Sequence, residues 1–371
     1  MKIAQVVTYV SADGAFGGPV SVAVSQAIEL AARGHEVRLL AGWDGRAVID
    51  APGVDIRLFR TRRLLPAGFS GLIAPGLLAH IRKNHESYDA VHIHLARDLI
   101  TLPTAAYLAH RGVNYVVQPH GMVVPDDRIR ARIFDAMAVR RVLRAATSVI
   151  AYRGVDDKAL GEVSRGGASI EFLGNGVHVG SVGSLKPINS EEIIFMARLH
   201  PRKRVMVFAE MAQLLTARGV RCRFVVVGPD EGDLRELQSF IAEHALEKVF
   251  TYEGAIPYSD VRLRLSQGAV YVLPSVNEPF PVTVLEAMAA GVPCVITDSC
   301  GLAPMFLEDS AGLVTDGSPE DMADAVERLF QDPTLRRSVI ASADRAIRER
   351  FSIGAVVELL VGFYRKGMVR A

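Results

Sequence analysis

The sequence predicts an α/β chain of two doubly wound parallel-sheet domains. Three observations predict it. Short apolar runs alternate with helical patterns along nearly all of the 371 residues, the order that builds parallel sheets. Runs such as Phe224-Val225-Val226-Val227 are apolar without alternation, as strands covered on both faces are. The stretch 179–187 is rich in Gly and Ser and contains Pro187, so it reads as a linker between two halves.

Taken in order, the first half offers strands at 2–10, 36–42, 55–59, 90–95, 115–120, 148–152 and 170–174. Between the first two, 20–33 has apolar residues at helical spacing and stops at Gly34. The second half offers strands at 192–197, 222–228, 249–254, 269–275, 293–298 and 311–315. The last stretch, 353–370, is an amphipathic helix. The expected domains are 1–183 and 184–352, followed by a terminal helix in 353–371.

Composition narrows the function. Lys plus Arg is 42 and Asp plus Glu is 41, a net charge of +1, which argues against a nucleic-acid binder. Cys222, Cys294 and Cys300 are too few and too scattered for a disulfide framework or a zinc site. They read as small buried residues of a reducing compartment. No apolar run reaches the roughly 18 residues of a spanning helix. The N-terminus reads as an immediate strand, without the apolar core of a signal peptide. The expected location is the cytoplasm.

Open α/β sheets bind ligands past the carboxyl ends of their strands, so chemistry is sought there. The richest segment is 274–293. A strand ends at Pro274, a loop carries Glu278, and a helix starts near Pro281, carries Glu286 and stops at Gly291. Free amides and the positive dipole end at a helix start suit a phosphate. Glu286 could accept hydroxyls of a sugar or ribose. Arg198 and Lys203, five apart after the strand 192–197, could neutralise a diphosphate, one as a planar fork and the other as a point charge. Arg202 and Arg204 leave open which cation reaches the ligand. Gly17 and Gly18, after the first strand, allow close approach of main-chain amides. No GxGxxG occurs there, which disfavours a NAD-dependent dehydrogenase. His92 and His94 share a face of the strand 90–95, with no third metal ligand in view.

The Glu278-x7-Glu286 pair, followed by Ala287-Met288-Ala289-Ala290-Gly291-Val292-Pro293, resembles the signature of glycosyltransferase family 4 (glycosyl transferases group 1). Met196-Ala197-Arg198-Leu199-His200-Pro201-Arg202-Lys203, Phe172-Leu173-Gly174-Asn175-Gly176-Val177, Gln118-Pro119-His120-Gly121-Met122 and the Gly14–Pro19 loop extend the likeness over nearly the whole chain. The run Gln118-Pro119-His120-Gly121-Met122 resembles a His-Gly element of members that build bacterial surface polysaccharides. The resemblance implies a GT-B fold, two Rossmann-like domains with a cleft between them, and a terminal helix that returns to the N-terminal domain.

It also implies a retaining, metal-independent transferase without a cofactor. The co-substrate would be a nucleotide-sugar donor, UDP-sugar before GDP-sugar. The acceptor would be a glycan or a lipid-linked saccharide. His120, Arg198, Lys203 and Glu278 take the catalytic places. Gly17, Gly18, Gly228, Gly254, Ile256, Phe280, Pro281, Val282 and Glu286 join Arg198, Lys203 and Glu278 around the donor. His94, Arg97 and Asn175 fall on the acceptor side.

One departure stands out: Pro281 replaces the Gly usual in the family's Glu-x-Phe-Gly, so no amide hydrogen is available there. Charge is also uneven, +5 over 1–183 and −4 over 184–371. Seven Arg (128, 130, 132, 140, 141, 144, 153) face the single acid Asp135 within 128–153. This is either a solvated face or a patch for the anionic inner face of the cell membrane. A GT-B-like sugar-nucleotide epimerase and a non-catalytic nucleotide-sugar-binding subunit remain the alternatives.

Overall fold

The computed structural model describes residues 1–10, 17–126, 135–154, 156–179 and 190–368. The loop 11–16, the basic stretch 127–134 and most of the expected linker lie outside the described residues, as does the 183/184 boundary. Two compact units form: Met1–Gly176 with Ile353–Ala371, and Val177–Ser352.

The first unit is built on a seven-stranded parallel sheet of order β3-β2-β1-β6-β7-β8-β9. The strands are β1 (Lys2–Val10), β2 (Glu36–Trp43), β3 (Asp55–Arg60), β6 (Ala90–Ile93), β7 (Tyr115–Val117), β8 (Ser148–Ala151) and β9 (Ile170–Phe172). Two further strands were not read from sequence: β4 (Arg62–Arg63) and β5 (Leu72–Ile73) pair antiparallel in a small hairpin. Two-residue strands are too short to show alternation. The helix Gly17–Ala32 follows β1 and ends before Gly34, whose φ is +82°.

The second unit has a six-stranded parallel sheet of order β12-β11-β10-β13-β14-β15. Its strands are β10 (Glu192–Met196), β11 (Arg223–Val227), β12 (Phe250–Gly254), β13 (Val270–Leu273), β14 (Cys294–Thr297) and β15 (Leu313–Thr315). In both sheets the strand order reverses once, at β1/β6 and at β10/β13. Adjacent connections leave in opposite directions there and open a crevice at the strand ends.

Burial explains the unbroken apolar strands. Phe224, Val225, Val226 and Val227 are 0–3% exposed, with helices on either face. Each such side chain contributes about 1.5–3 kcal/mol on burial. The terminal helix Ile353–Met368 places Ile353, Val356, Val357, Leu360 and Tyr364 at helical spacing against Ile3, Leu30, Val116 and Ile150 of the first unit. Cys222, Cys294 and Cys300 are buried thiols, and burial pushes Cys222 and Cys300 up to about 12.

Candidate functional site

In the second unit the site grows from the ends of β10 and β13. Past β10 the chain turns through a short 3-10 helix, Pro201–Lys203, whose first amides are capped by the His200 ring accepting from Arg202 N at 3.1 Å. The turn ends on Arg204, with φ +54°. Lys203 is thereby aimed at the loop after β13. Its Nζ donates to Glu278 Oε2 at 2.5 Å, with the two side chains only 13% and 9% exposed. Arg202 stands behind at 3.5 Å from the same oxygen. Burial lowers the Lys203 pKa, and the Glu278 charge opposes that shift. Main chain joins the two loops as well: Val276 N donates to Arg202 O at 3.1 Å.

The Glu278 loop is clamped from its other side. Gly301 N donates to Glu278 O at 2.8 Å. Gly301 lies so close that a Cβ there would meet Pro279 O at 1.9 Å. Asn277 takes φ +50° to make the turn. The helix Val282–Ala289 follows, with Pro281 as its N-cap and no side-chain capping bond. Its first turn is fixed from below, because the buried Tyr271 hydroxyl donates to Met196 O at 3.1 Å and accepts from Thr283 Oγ1 at 2.8 Å. Uncapped amides at the start of this helix face the same end of the sheet as Lys203. Glu286 is half-buried on the helix's second turn. Phe280 turns its ring to Phe351, 5.9 Å between centroids.

Arg198 is placed differently from Lys203. It is 48% exposed and makes a fork with Glu231, at 2.7 and 2.9 Å. Sequence reading missed Glu231, because a single acid in a surface loop carries no signal until folding brings it to Arg198. Gly228 and Gly254 serve one tight junction. Gly228 N donates to Gly254 O at 2.8 Å and Tyr252 Oη donates to Gly228 O at 2.9 Å. Gly228 has φ +146°, and a Cβ would meet Ala197 O at 1.9 Å. Ile256 packs on the core's edge.

In the first unit, His94 lies one residue beyond β6 and stacks on His92, 4.4 Å between centroids, and on His120, 5.0 Å. A directed chain of bonds runs through them. Tyr152 Oη donates to Asn175 Oδ1 at 2.9 Å, so it accepts from His120 Nδ1 at 3.0 Å. His120 Nε2 is then the acceptor, and His94 Nδ1 donates to it at 2.7 Å. The three rings stack and do not converge on a point. Burial lowers all three pKa values, His92 and His120 to about 3. Neutral His120 is held with φ +54° before Gly121. Tyr152 is the residue that orients it. Arg97 is engaged elsewhere, in a fork with buried Asp135 at 2.9 and 2.7 Å and with Val124 O at 2.6 Å. Gly17 opens the first helix and Gly18 is exposed beside it. Among the described residues no group of three or more His, Cys, Asp or Glu is arranged to hold a metal ion.

Residues 182–346 match the family Glycosyl transferases group 1, and residues 17–176 match the Glycosyl transferase 4-like domain. The chain belongs to the glycosyl transferases group 1 family. The first match carries the Lys203, Glu278 and Glu286 region of this family member, and the second carries His94, His120 and Asn175. An alpha-D-kanosaminyltransferase of Streptomyces kanamyceticus is 32% identical over 177 residues, 47% of this chain and 45% of that protein. A putative colanic acid biosynthesis glycosyltransferase, WcaL, of Escherichia coli is 33% identical over 173 residues, 44% of this chain and 41% of that protein. The chain thus spans less than half the length of these curated relatives. Its fold is GT-B: HepE of Anabaena, solved in complex with UDP and glucose, superposes with a TM-score of 0.75 at 16% identity, over 98% of this chain and 99% of that one.

Proposed function

We propose that the chain moves a sugar from a nucleotide-diphosphate sugar, UDP before GDP, to a hydroxyl of a glycan or lipid-linked saccharide. The anomeric configuration is retained and no metal takes part. The observation that carries this reading is the buried Lys203–Glu278 pair beside the uncapped start of Val282–Ala289. A cation, a carboxylate and free amides at one strand end suit a diphosphate next to a sugar hydroxyl. The UDP and glucose in the HepE structure support the donor class. The likeness to a colanic acid biosynthesis glycosyltransferase, WcaL, supports a polysaccharide product.

In this mechanism Lys203 and the helix amides balance charge developing on the leaving diphosphate. Arg198 joins them by exchanging Glu231 for phosphate oxygens. Glu278 binds the donor sugar and Glu286 the ribose hydroxyls. His120, neutral and with both ring nitrogens engaged, positions groups and carries no charge. The acceptor's proton passes to the leaving phosphate, so no protein nucleophile is needed. The first unit takes the acceptor, at the inner face of the cell membrane when the acceptor is lipid-linked.

The test begins with thermal shifts against a panel of nucleotide sugars, because ligand binding raises stability in proportion to the logarithm of [L]/Kd. Turnover with the donor so found is then measured for Lys203→Ala and Glu286→Ala. Each should fall by about 10²–10³. Unchanged turnover in both would refute the assignment. Conversion of the donor without any acceptor would point to epimerisation instead.

A further inference from the structure

The first unit carries a surface that the donor chemistry does not use. β3 ends at Arg60, and the β4–β5 hairpin follows at the carboxyl edge of the sheet. From Ile56 to His85 the sequence holds six Arg or Lys and no Asp or Glu. The hairpin is sided. Phe69 and Leu72 pack into the core, whereas Leu64 and Leu65 are 61% and 50% exposed. Main chain holds them outward: the amides of Leu64 and Leu65 both donate to Gly71 O, at 2.9 and 3.2 Å. Gly71 lies so close that a Cβ there would meet Leu65 O at 2.1 Å. Arg62 and Arg63 are exposed beside the leucines and form no ion pair among the described residues.

The neighbouring loop adds to this surface. The Arg60 guanidinium lies over the Trp43 ring at 5.8 Å. Trp43 Nε1 donates to Ala47 O at 2.8 Å, and the next residue, Val48, is 91% exposed. Nearby acids are already engaged: Asp55 with Arg38 and Arg57, and Asp44 with the amides of Arg46 and Ala47. A bridge between Ile73 and Leu99 ties the hairpin to the loop after His94.

Unpaired arginines, outward aliphatic tips and a half-buried indole together match the boundary between headgroups and acyl chains. A soluble polyanion would use the arginines but would have no use for Leu64, Leu65 and Val48. We infer that the 62–73 hairpin, with Trp43 and Val48, docks the chain on a bilayer surface of anionic phospholipid. The inference rests on the lipid-linked acceptor of the proposed function and says how the chain reaches it.

Trp43 is the chain's single tryptophan, so its fluorescence reads this surface alone. Vesicles of equal parts phosphatidylglycerol and phosphatidylcholine should shift its emission to the blue. Phospholipids brominated on the acyl chain should quench it, and vesicles of phosphatidylcholine alone should do neither. Flotation measures partitioning. A factor of about five per arginine at an anionic surface predicts at least a 25-fold loss for Arg62→Glu/Arg63→Glu. Leu64→Ser/Leu65→Ser should lose about tenfold or more. Both variants should keep the parent melting temperature and the stabilisation by nucleotide sugar.

A protein that responds to nucleotide sugar but does not float overturns the docking and leaves the function standing. A protein that floats but responds to no nucleotide sugar overturns the function and leaves the docking. Flotation with Trp43 unquenched assigns contact to another face and overturns the inference. Flotation insensitive to the leucine variant marks simple charge pairing, with the same consequence.

Discussion

Separating Lys203 from Glu278 tests the centre of the site without knowledge of the donor. Breaking a fully buried ion pair costs about 3–5 kcal/mol, because the remaining charge stays desolvated. Here the side chains are 13% and 9% exposed, and Arg202 stands 3.5 Å from the carboxylate. The two substitutions are therefore unequal. Lys203→Met leaves Glu278 with Arg202 and should cost about 1–2 kcal/mol. Glu278→Gln leaves the ammonium enclosed and repelled by Arg202 and Arg198, and should cost about 2–3 kcal/mol. For a unit of this size that is a fall of roughly 5–10 °C in its transition.

The sign of the pH dependence follows. Burial already holds the folded-state Lys203 pKa below its ordinary value, and Glu278 is the partner that raises it. Without Glu278 the unfolded state binds the proton more tightly. The stability of Glu278→Gln should then rise with pH as Lys203 loses its proton, and the deficit should narrow from neutral pH towards about 10. Denaturant melts of the two single variants and the double variant, at neutral and alkaline pH, measure both effects. A coupling energy below about 0.5 kcal/mol, or equal costs for the two single variants, would refute the reasoning.

Three other outcomes are expected. The histidine column should make the first unit sensitive to acid: His92 and His120 have folded pKa values of about 3, so their contribution is present above about pH 6.5 and is lost as pH falls towards 3, by up to about 1.4 kcal/mol per pH unit each. Asp98 and Asp156, raised to about 6 by burial, oppose this below pH 6, and a His92→Gln variant melted at successive pH values should lose about one proton's worth of slope. Glu231→Gln should change stability by less than about 1 kcal/mol, since the pair is exposed; by releasing Arg198 it should tighten nucleotide-sugar binding several-fold in titration calorimetry. Gly301→Ala drives a methyl into Pro279 O, and should abolish the thermal shift with nucleotide sugar while the first unit still melts as before.

Much of the architecture could be read along the chain because it rests on local order. The central parallel strands, such as β10, β11 and β13, are apolar runs, and each of these was visible. Lengths were less so. His94 and Gln118 to His120 continue apolar runs past the ladder, since loops buried at the sheet's end need the same residue types as strands. The site divided in the same way. Lys203, Glu278 and Glu286 stood out because they follow strands at spacings a helix start imposes. Their pairing did not, because Lys203 and Glu278, 75 positions apart, are brought together only by strand order.

The sequence by itself determined that two parallel-sheet units would form and that charged groups would lie just past their strands, because periodicity and turn chemistry act over a few residues. Tertiary structure alone decided the state of those groups. It buried Lys203 against Glu278 and left Arg198 exposed with Glu231. It held His120 neutral between His94 and Tyr152, and turned Leu64 and Leu65 outward. Burial, partner and direction depend on what the fold packs beside a residue, and neighbours in space are not neighbours in the chain.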